Sequence, residues 1–163
     1  MAKDLPQKLL RELLKNSKRS DRDLAKILKV SQPTITRARH KLEKSGIIMD
    51  YTIVPDFKKM SFELLVINFA KIRPEVLLSE MKDKAREFMG KFPNTIVAST
   101  GDGMGMNAVS IAFYRSFTEF HRRANLMRTE WKDIIEDLQS FVIPIGEGEF
   151  KRFSLKHLGD IPL

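Results

Sequence analysis

Ser20 and Ser31 each stand directly before a short run of helical periodicity, and the interval between them dictates the local fold. A serine hydroxyl at an N-cap satisfies an otherwise unpaired backbone N–H, and Asp21-Arg22-Asp23 places acids in the first turn, where the helix dipole favours them. Leu24, Ile27 and Leu28 supply a buried stripe for this helix. It can run only to about Leu28, because Ser31 opens the next helix with Pro33 tolerated in its first turn. Ile35, Ala38 and Leu42 form the inward face of that later helix, and Gly46 stops it. Upstream, Leu9, Leu10, Leu13 and Leu14 recur at three- and four-residue spacing, which predicts a first helix ending near Asn16. Two helices joined by a turn of about three residues make a helix-turn-helix. Ala25 provides the small residue needed where the third helix approaches, Val30 plugs the turn, and Lys29 takes the left-handed position where glycine is commonest.

At 100° per residue the outward side of the third helix carries Pro33, Thr36, Arg37, His40 and Lys44, flanked by Thr34 and Lys41. Ser31 and Gln32 open the helix beside the same face. Arginine, threonine and histidine can hydrogen-bond base edges, and lysine suits phosphates. An ordinary solvated helix face carries mixed charge, whereas this one carries no acid, since Glu43 lies to one side. Ser17, Lys18, Arg19, Ser20 and Arg22 add a basic, hydroxyl-rich entry to the second helix. After Gly46, the segment Ile47-Ile48-Met49-Asp50-Tyr51-Thr52-Ile53 reads as a short β-element, a candidate wing.

The charge distribution agrees. The net charge is +8, and the first sixty residues hold 15 Lys and Arg against 7 Asp and Glu, while the remainder holds 14 of each. Ten of the eleven phenylalanines follow Met60, as do Tyr114 and Trp131. A basic, aromatic-poor module is thus joined to a neutral, aromatic-rich one, and the asymmetry points to a polyanion partner for the first.

From Ser61 the pattern becomes strand, helix, strand, strand, helix, strand. Phe62 to Ile72 is rich in β-branched and apolar residues, and Pro74 opens a helix whose Leu77, Met81, Ala85 and Phe88 share a face. Thr95 to Thr100 and Ala108 to Tyr114 read as strands around a loop, Gly101 to Asn107. Ser116 and Glu119 are spaced as a capping box for a last helix, with a stripe of Phe117, Phe120, Ala124, Met127, Trp131, Ile134 and Leu138. Phe141 to Ile145 and Phe150 to Leu158 are both strand-like. This order is the ferredoxin-like split βαβ, whose open sheet face favours self-association. The expected class is therefore α+β: a winged helix-turn-helix over residues 1–56, then a ferredoxin-like βαββαβ domain over 57–163.

Residues 9–51, including Ser-Asp-Arg-Asp-Leu-Ala-Lys, Val-Ser-Gln-Pro-Thr-Ile-Thr-Arg and Lys-Leu-Glu-Lys-Ser-Gly-Ile-Ile, resemble the Lrp/AsnC family of transcription regulators. The resemblance implies that the third helix reads double-stranded operator DNA. Arg37 stands at the family's characteristic arginine, and Ser31, Thr34 and Thr36 match its general pattern. It also implies assembly as a homodimer or higher even oligomer, and a possible small-molecule effector. The family's glycine-aromatic-aspartate segment corresponds to Gly101-Asp102-Gly103-Met104-Gly105-Met106-Asn107, which keeps the glycine and lacks the aromatic. Gly101, Asp102 and Gly103 are the effector candidates on this basis.

Other chemistries find little support. The chain has no cysteine, which excludes disulfides, thiolate metal sites and cysteine nucleophiles. His40, His121 and His157 are scattered without ligand spacing, so no metal and no cofactor are expected. A strand rather than a helix follows Gly101-x-Gly103-x-Gly105, against a nucleotide-binding fingerprint. No nucleophile elbow is present, so no enzyme activity is expected. Apolar runs such as Leu64 to Phe69 fall far short of a membrane span, and Met1 to Asn16 lacks the apolar core of a signal peptide, which makes a cytoplasmic location the expectation. The competing reading is an enzyme resembling the siroheme decarboxylases, with His121, Arg122 and Arg123 holding tetrapyrrole carboxylates. Such an enzyme has no use for Thr36, Arg37, His40 and Lys44 together on one acid-free face.

Overall fold

A computed structural model describes residues 4–73, 75, 81–148 and 151–161. The chain forms two compact units, one of Met1–Val54 with Lys151–Leu163 and the other of Pro55–Phe150.

The first unit is built on three helices, α1 (Leu5–Lys15), α2 (Asp21–Leu28) and α3 (Gln32–Lys44). Leu9, Leu13, Leu24, Ala25, Ile35, Ala38 and Leu42 form one buried core, with Leu28, Val30 and Ile48 packed against it. The second-helix stripe differs at one place: Ile27 is 46% exposed, and the small Ala25 takes the buried position instead. Ser20 caps α2 by accepting from Asp23 N at 3.1 Å. Lys29 adopts the left-handed conformation (φ 55°) that the turn requires. Helix α3 ends in a paired closure: Gly46 N donates to Glu43 O and Ile47 N to Leu42 O. That arrangement needs a left-handed residue at Gly46, whose φ is 73°.

No strand forms over 47–53, where a wing strand was expected. Ile48 N also donates to Leu42 O, its side chain joins the three-helix core, and the Tyr51 hydroxyl bonds to groups on α3. The segment wraps back on α3, because an isolated strand has no partner to satisfy its backbone. The chain end also departs from expectation. The sequence from Phe150 to Leu158 is strand-like, but Phe150 lies outside the described residues and Leu155–Asp160 is a 3₁₀ helix of the first unit. It lies on α1: Arg11 Nε donates to Gly159 O at 3.1 Å, and Lys15 Nζ is 3.5 Å from Asp160. Gly159 is buried there, and a Cβ on it would stand 2.8 Å from the Arg11 carbonyl oxygen.

The second unit contains β1 (Leu64–Ile72), α4 (Met81–Gly90), β2 (Thr95–Gly103), β3 (Met106–Tyr114), α5 (Phe117–Glu130) and β4 (Ile135–Pro144). The sheet order is β2-β3-β1-β4 with every neighbouring pair antiparallel, as a ferredoxin-like sheet requires. Pro74 and Leu77, expected to begin the helix after β1, lie outside the described residues, as do the side chains of Met81 and Ala85. The expected stripe from Phe117 to Leu138 divides: the helix ends at Glu130, and Ile135 and Leu138 belong to β4. Pairing with β1 decides this, since Ala70 opposes Leu138 and Val66 opposes Val142 along a nine-residue strand. Gly101 to Asn107 is likewise a hairpin rather than a loop. The strands continue to Gly103 and Met106, and Met104 and Gly105 make the turn with φ of 54° and 73°.

Alternation along β1 divides the sheet faces. Leu64, Val66, Ala112 and Tyr114 pack under Phe120 and Ala124 of α5. On the opposite face Leu65, Ile67 and Phe69 oppose Phe113, Ile111 and Val109. Phe57 stacks on Phe113 at 4.2 Å with Phe62 beside it, while Phe141 on this face remains 63% exposed.

Candidate nucleic-acid interface

Helix α3 presents its polar side as the 100° repeat requires. Gln32, Pro33, Thr36, Arg37, His40, Lys41 and Lys44 are exposed, while Ile35, Ala38 and Leu42 are buried. Arg37, His40, Lys41, Lys44 and Ser45 together line one shallow groove. Among the described residues no carboxylate lies within ion-pair distance of Arg37, Lys41 or Lys44. His40 Nδ1 is 3.9 Å from Glu43 Oε2, a long contact at the border of the groove. A run of unneutralised cations on one rigid helix is suited to a polyanion.

Three residues of the expected set, Ser31, Thr34 and Thr36, are occupied within the protein. Ser31 holds the N-cap position of α3, yet its hydroxyl makes no bond to the helix backbone and lies 2.7 Å from Thr34 Oγ1. Thr36 Oγ1 is 2.7 Å from Asp21 Oδ2, to which it donates, and 3.2 Å from Gln32 O. The Thr36 hydroxyl is therefore engaged within the protein although the residue is exposed.

The residues missed by pattern reasoning are those that aim α3. Asp21, at the start of α2, accepts from Thr36 and from Arg39 Nε at 2.9 Å, with Arg39 Nη2 at 2.8 Å. Arg39 Nη1 donates to the Tyr51 hydroxyl at 3.2 Å, which donates to Glu43 Oε1 at 2.8 Å. This chain of bonds ties α2, α3 and the segment after α3 into one body. Burial alone would pull the Arg39 guanidinium down, but its bonds to Tyr51 and Asp21 prevail and hold it above the ordinary value. Burial pushes the Tyr51 hydroxyl up, and its bond to Glu43 adds to the rise, while Arg39 works the other way. The alternation of Asp21 and Arg39 in sequence offered no periodic signal, because the pair joins two helices.

At the entry to α2, Ser20 Oγ donates to Asp23 Oδ2 at 2.6 Å, and this bond holds the Asp23 carboxyl below its usual range. Arg19 pairs with Glu12 of α1, so part of that basic entry is neutralised, whereas Ser17, Lys18 and Arg22 stay exposed. In the second unit Gly101, Asp102 and Gly103 sit at the exposed end of β2 beside the hairpin turn, and no described residue encloses them. His121 stands edge-on to Phe117 at 4.6 Å, and the Arg123 guanidinium lies 5.0 Å over the Phe92 ring. The contacts of His121 and Arg123 are with aromatic rings rather than with one another. Among the described residues no group of His, Asp and Glu is placed to hold a metal ion, and no helix is long and apolar enough to cross a membrane.

Comparison with known proteins follows the same lines. Residues 4–49 match the winged helix-turn-helix DNA-binding family. The HTH-type transcriptional regulator LrpA of Pyrococcus abyssi is 33% identical over 107 residues, which cover 65% of this chain and 74% of that protein. The HTH-type transcriptional regulator LrpC of Bacillus subtilis is 35% identical over 65 residues, 40% of this chain and 45% of LrpC. In fold, the chain is similar to a transcriptional regulator from Neisseria meningitidis in an L-Met complex, with a TM-score of 0.75 at 18% identity over 94% of this chain and 97% of that one. The B. subtilis LrpC structure gives a TM-score of 0.69 at 22% identity, covering 90% and 96%.

Proposed function

The chain belongs to the Lrp/AsnC family of DNA-binding transcription regulators, and from that premise we propose that α3 enters the major groove of double-stranded DNA. The observation that carries this reading is the groove of Arg37, His40, Lys41 and Lys44, whose Arg37, Lys41 and Lys44 meet no carboxylate among the described residues. A helix of 13 residues is about 20 Å long, so only part of it reaches base edges. Gln32, Pro33, Thr36 and Arg37 lie in its first half and read bases, Arg37 by a bidentate contact and Thr36 by its methyl group. His40, Lys41 and Lys44 meet phosphates, with Ser31 and Thr34 fixing the start of the helix beside the backbone.

One such helix covers only a few base pairs, so two copies about 34 Å apart on one face of the duplex are needed. Oligomeric assembly is a family trait, and we assign it here to a two-fold pairing through the sheet face that leaves Phe141 uncovered and Ile67 half-buried beside it. In this division residues 1–56 bind DNA and the ferredoxin-like domain assembles the oligomer, while the 3₁₀ helix at residues 155–160 supports the DNA-binding unit. A ligand held at Gly101, Asp102 and Gly103 would need a second copy to enclose it, because these residues lie open at the hairpin. The relatives are named as regulators rather than enzymes, and the decarboxylase reading gains no support from the placement of His121 and Arg123.

The test begins by selecting a preferred duplex from a random pool with the full-length protein. Arg37→Ala should then weaken binding to that duplex by about 1–3 kcal/mol, measured by fluorescence anisotropy. Lys44→Ala should weaken all duplexes alike and lower the salt slope by about one. An unchanged affinity for Arg37→Ala overturns the assignment of α3 as the reading helix.

A further inference from the structure

We propose that the second unit contains a small-molecule site between the sheet and helices α4 and α5. A cleft of about 440 Å³ lies there, within the size range of ordinary ligand pockets. Its floor is made of small side chains on three adjacent strands. Ala70 opposes Ala108, and Ala98 opposes Ser110. At the other end of the same face, Leu64, Val66 and Tyr114 fill the space under Phe120. The contrast is local: where large residues would close the layer, the chain carries alanine and serine. Phe88 and Trp131, in ring contact at 4.4 Å, form one wall.

A buried polar row crosses this largely apolar floor, whose exposed edge also carries Ser99 and Thr100. Asn68, 5% exposed, donates to Ser110 Oγ at 3.3 Å and accepts from Ser140 Oγ at 2.7 Å. Among the described residues the Ser110 hydroxyl proton has no acceptor of its own. Asn68 and Ser110 both line the cleft. A purely structural core is served at lower cost by apolar residues at these positions, since buried polar groups must be matched by partners. The row gives an apolar pocket one oriented hydrogen-bonding point, the usual composition of a ligand site.

The same chemistry defines the ligand. Among the described residues no cation stands on the floor, so a carboxylate pushed down to Asn68 and Ser110 would be desolvated without a counter-charge from them. The buried end is therefore a neutral carbonyl that accepts from Ser110. The body is a compact aromatic or branched aliphatic group lying between the alanines and Phe88. Arg86, also in the lining, has an 81% exposed side chain paired with Asp83 at 2.8 Å. It stands at the mouth and can meet an anionic substituent only there. This site goes beyond the DNA-binding reading and does not rest on it, and the test reads a ligand rather than DNA.

Trp131 is the chain's single tryptophan and lines the cleft, so its indole N–H resonance in ¹H–¹⁵N spectra of the full-length protein reports occupancy directly. Acetophenone is the probe, with ethylbenzene as the analogue that lacks the carbonyl. The expected result is a saturable shift of the Trp131 indole signal by acetophenone, with ethylbenzene about fivefold weaker, as one hydrogen bond implies. Ser110→Ala should bring acetophenone down to the level of ethylbenzene. Ala108→Leu should fill the floor and abolish the saturable shift while the backbone spectrum stays dispersed. The proposal is overturned if neither probe gives a saturable shift, or if the shift survives in a folded Ala108→Leu protein. Should Ala108→Leu not fold, Ser110→Ala decides: retained discrimination between the two probes overturns the proposal equally.

Discussion

Replacing Asp21 by alanine tests whether α3 is aimed by its bond network or merely by its apolar face. The carboxylate accepts from Thr36 Oγ1 at 2.7 Å and from Arg39 Nε at 2.9 Å, with Nη2 at 2.8 Å. The Asp21 and Arg39 side chains are 19% and 18% exposed. That burial places the pair between exposed ion pairs, worth about 0–1 kcal/mol, and fully buried ones, whose breaking costs about 3–5 kcal/mol. About 2 kcal/mol is the resulting expectation, which includes a few tenths for losing an acid from the first turn of α2. Local opening of α3 should then become about thirtyfold more frequent. Hydrogen exchange of the Ile35 and Ala38 amides in the full-length protein measures this, because both residues belong to the buried side of α3. Adding Arg39→Met completes a double-mutant cycle and isolates the coupling, expected at about 1.5 kcal/mol. Exchange within twofold of the parent, or a coupling below about 0.5 kcal/mol, would refute the network as the positioning device. DNA affinity should fall in the same variant although Asp21 is itself acidic, since removing a negative charge near the duplex would otherwise strengthen binding.

Three further outcomes follow from other parts of the molecule. Gly159→Val brings a Cβ to 2.8 Å from the Arg11 carbonyl oxygen, so the 3₁₀ helix should leave α1 and tryptic cleavage at Lys156 should quicken about tenfold; unchanged cleavage would mean that this contact is dispensable. Phe141→Asp, at a position 63% exposed on the uncovered sheet face, should turn the oligomer into monomers in sedimentation without loss of folded structure; an unaltered sedimentation coefficient would place the interface elsewhere. Burial holds the Tyr114 hydroxyl above its ordinary value, so the unfolded chain ionises first, at about pH 10. The stability this gives is complete below that pH and is lost as the pH rises towards the folded value. Tyr114→Phe should therefore flatten the alkaline fall in urea midpoint followed by Trp131 fluorescence, and an identical fall in both proteins would contradict the assignment.

The first unit was legible because each of its signals is local. Ser20, Lys29, Ser31 and Gly46 mark boundaries by backbone chemistry that acts within four residues, and the core positions recur along single helices. What the sequence hid there was contact between elements. Ile48 reads as a strand residue until the three-helix core claims it, and Asp21 reads as a first-turn acid until Arg39 and Thr36 reach it. Leu155–Asp160 was hidden for the same reason, since only the place of Gly159 against α1 explains why a strand-like segment turns into a 3₁₀ helix.

In the second unit the apolar period itself was ambiguous. Trp131, Ile134 and Leu138 continue the three- and four-residue spacing of α5, yet β4 begins at Ile135. Only β1 settles the matter, by offering Ile72 to Ile135 and Ala70 to Leu138 across the sheet, with a bulge at Lys71/Ile72 that keeps a spacing of three on one face. The same pairing explains why the candidate pocket escaped the pattern. Asn68, Ser110 and Ser140 lie 42 and 72 residues apart in pairs, and Ala70, Ala98 and Ala108 come from three strands. Along each strand they are single small or polar residues among apolar ones, which reads as ordinary variation. Side by side they are an opening with a polar row, so the feature exists only at the level of the sheet. A variant that keeps every strand's pattern but enlarges one alanine therefore leaves the fold's instructions intact while changing what the cleft can hold.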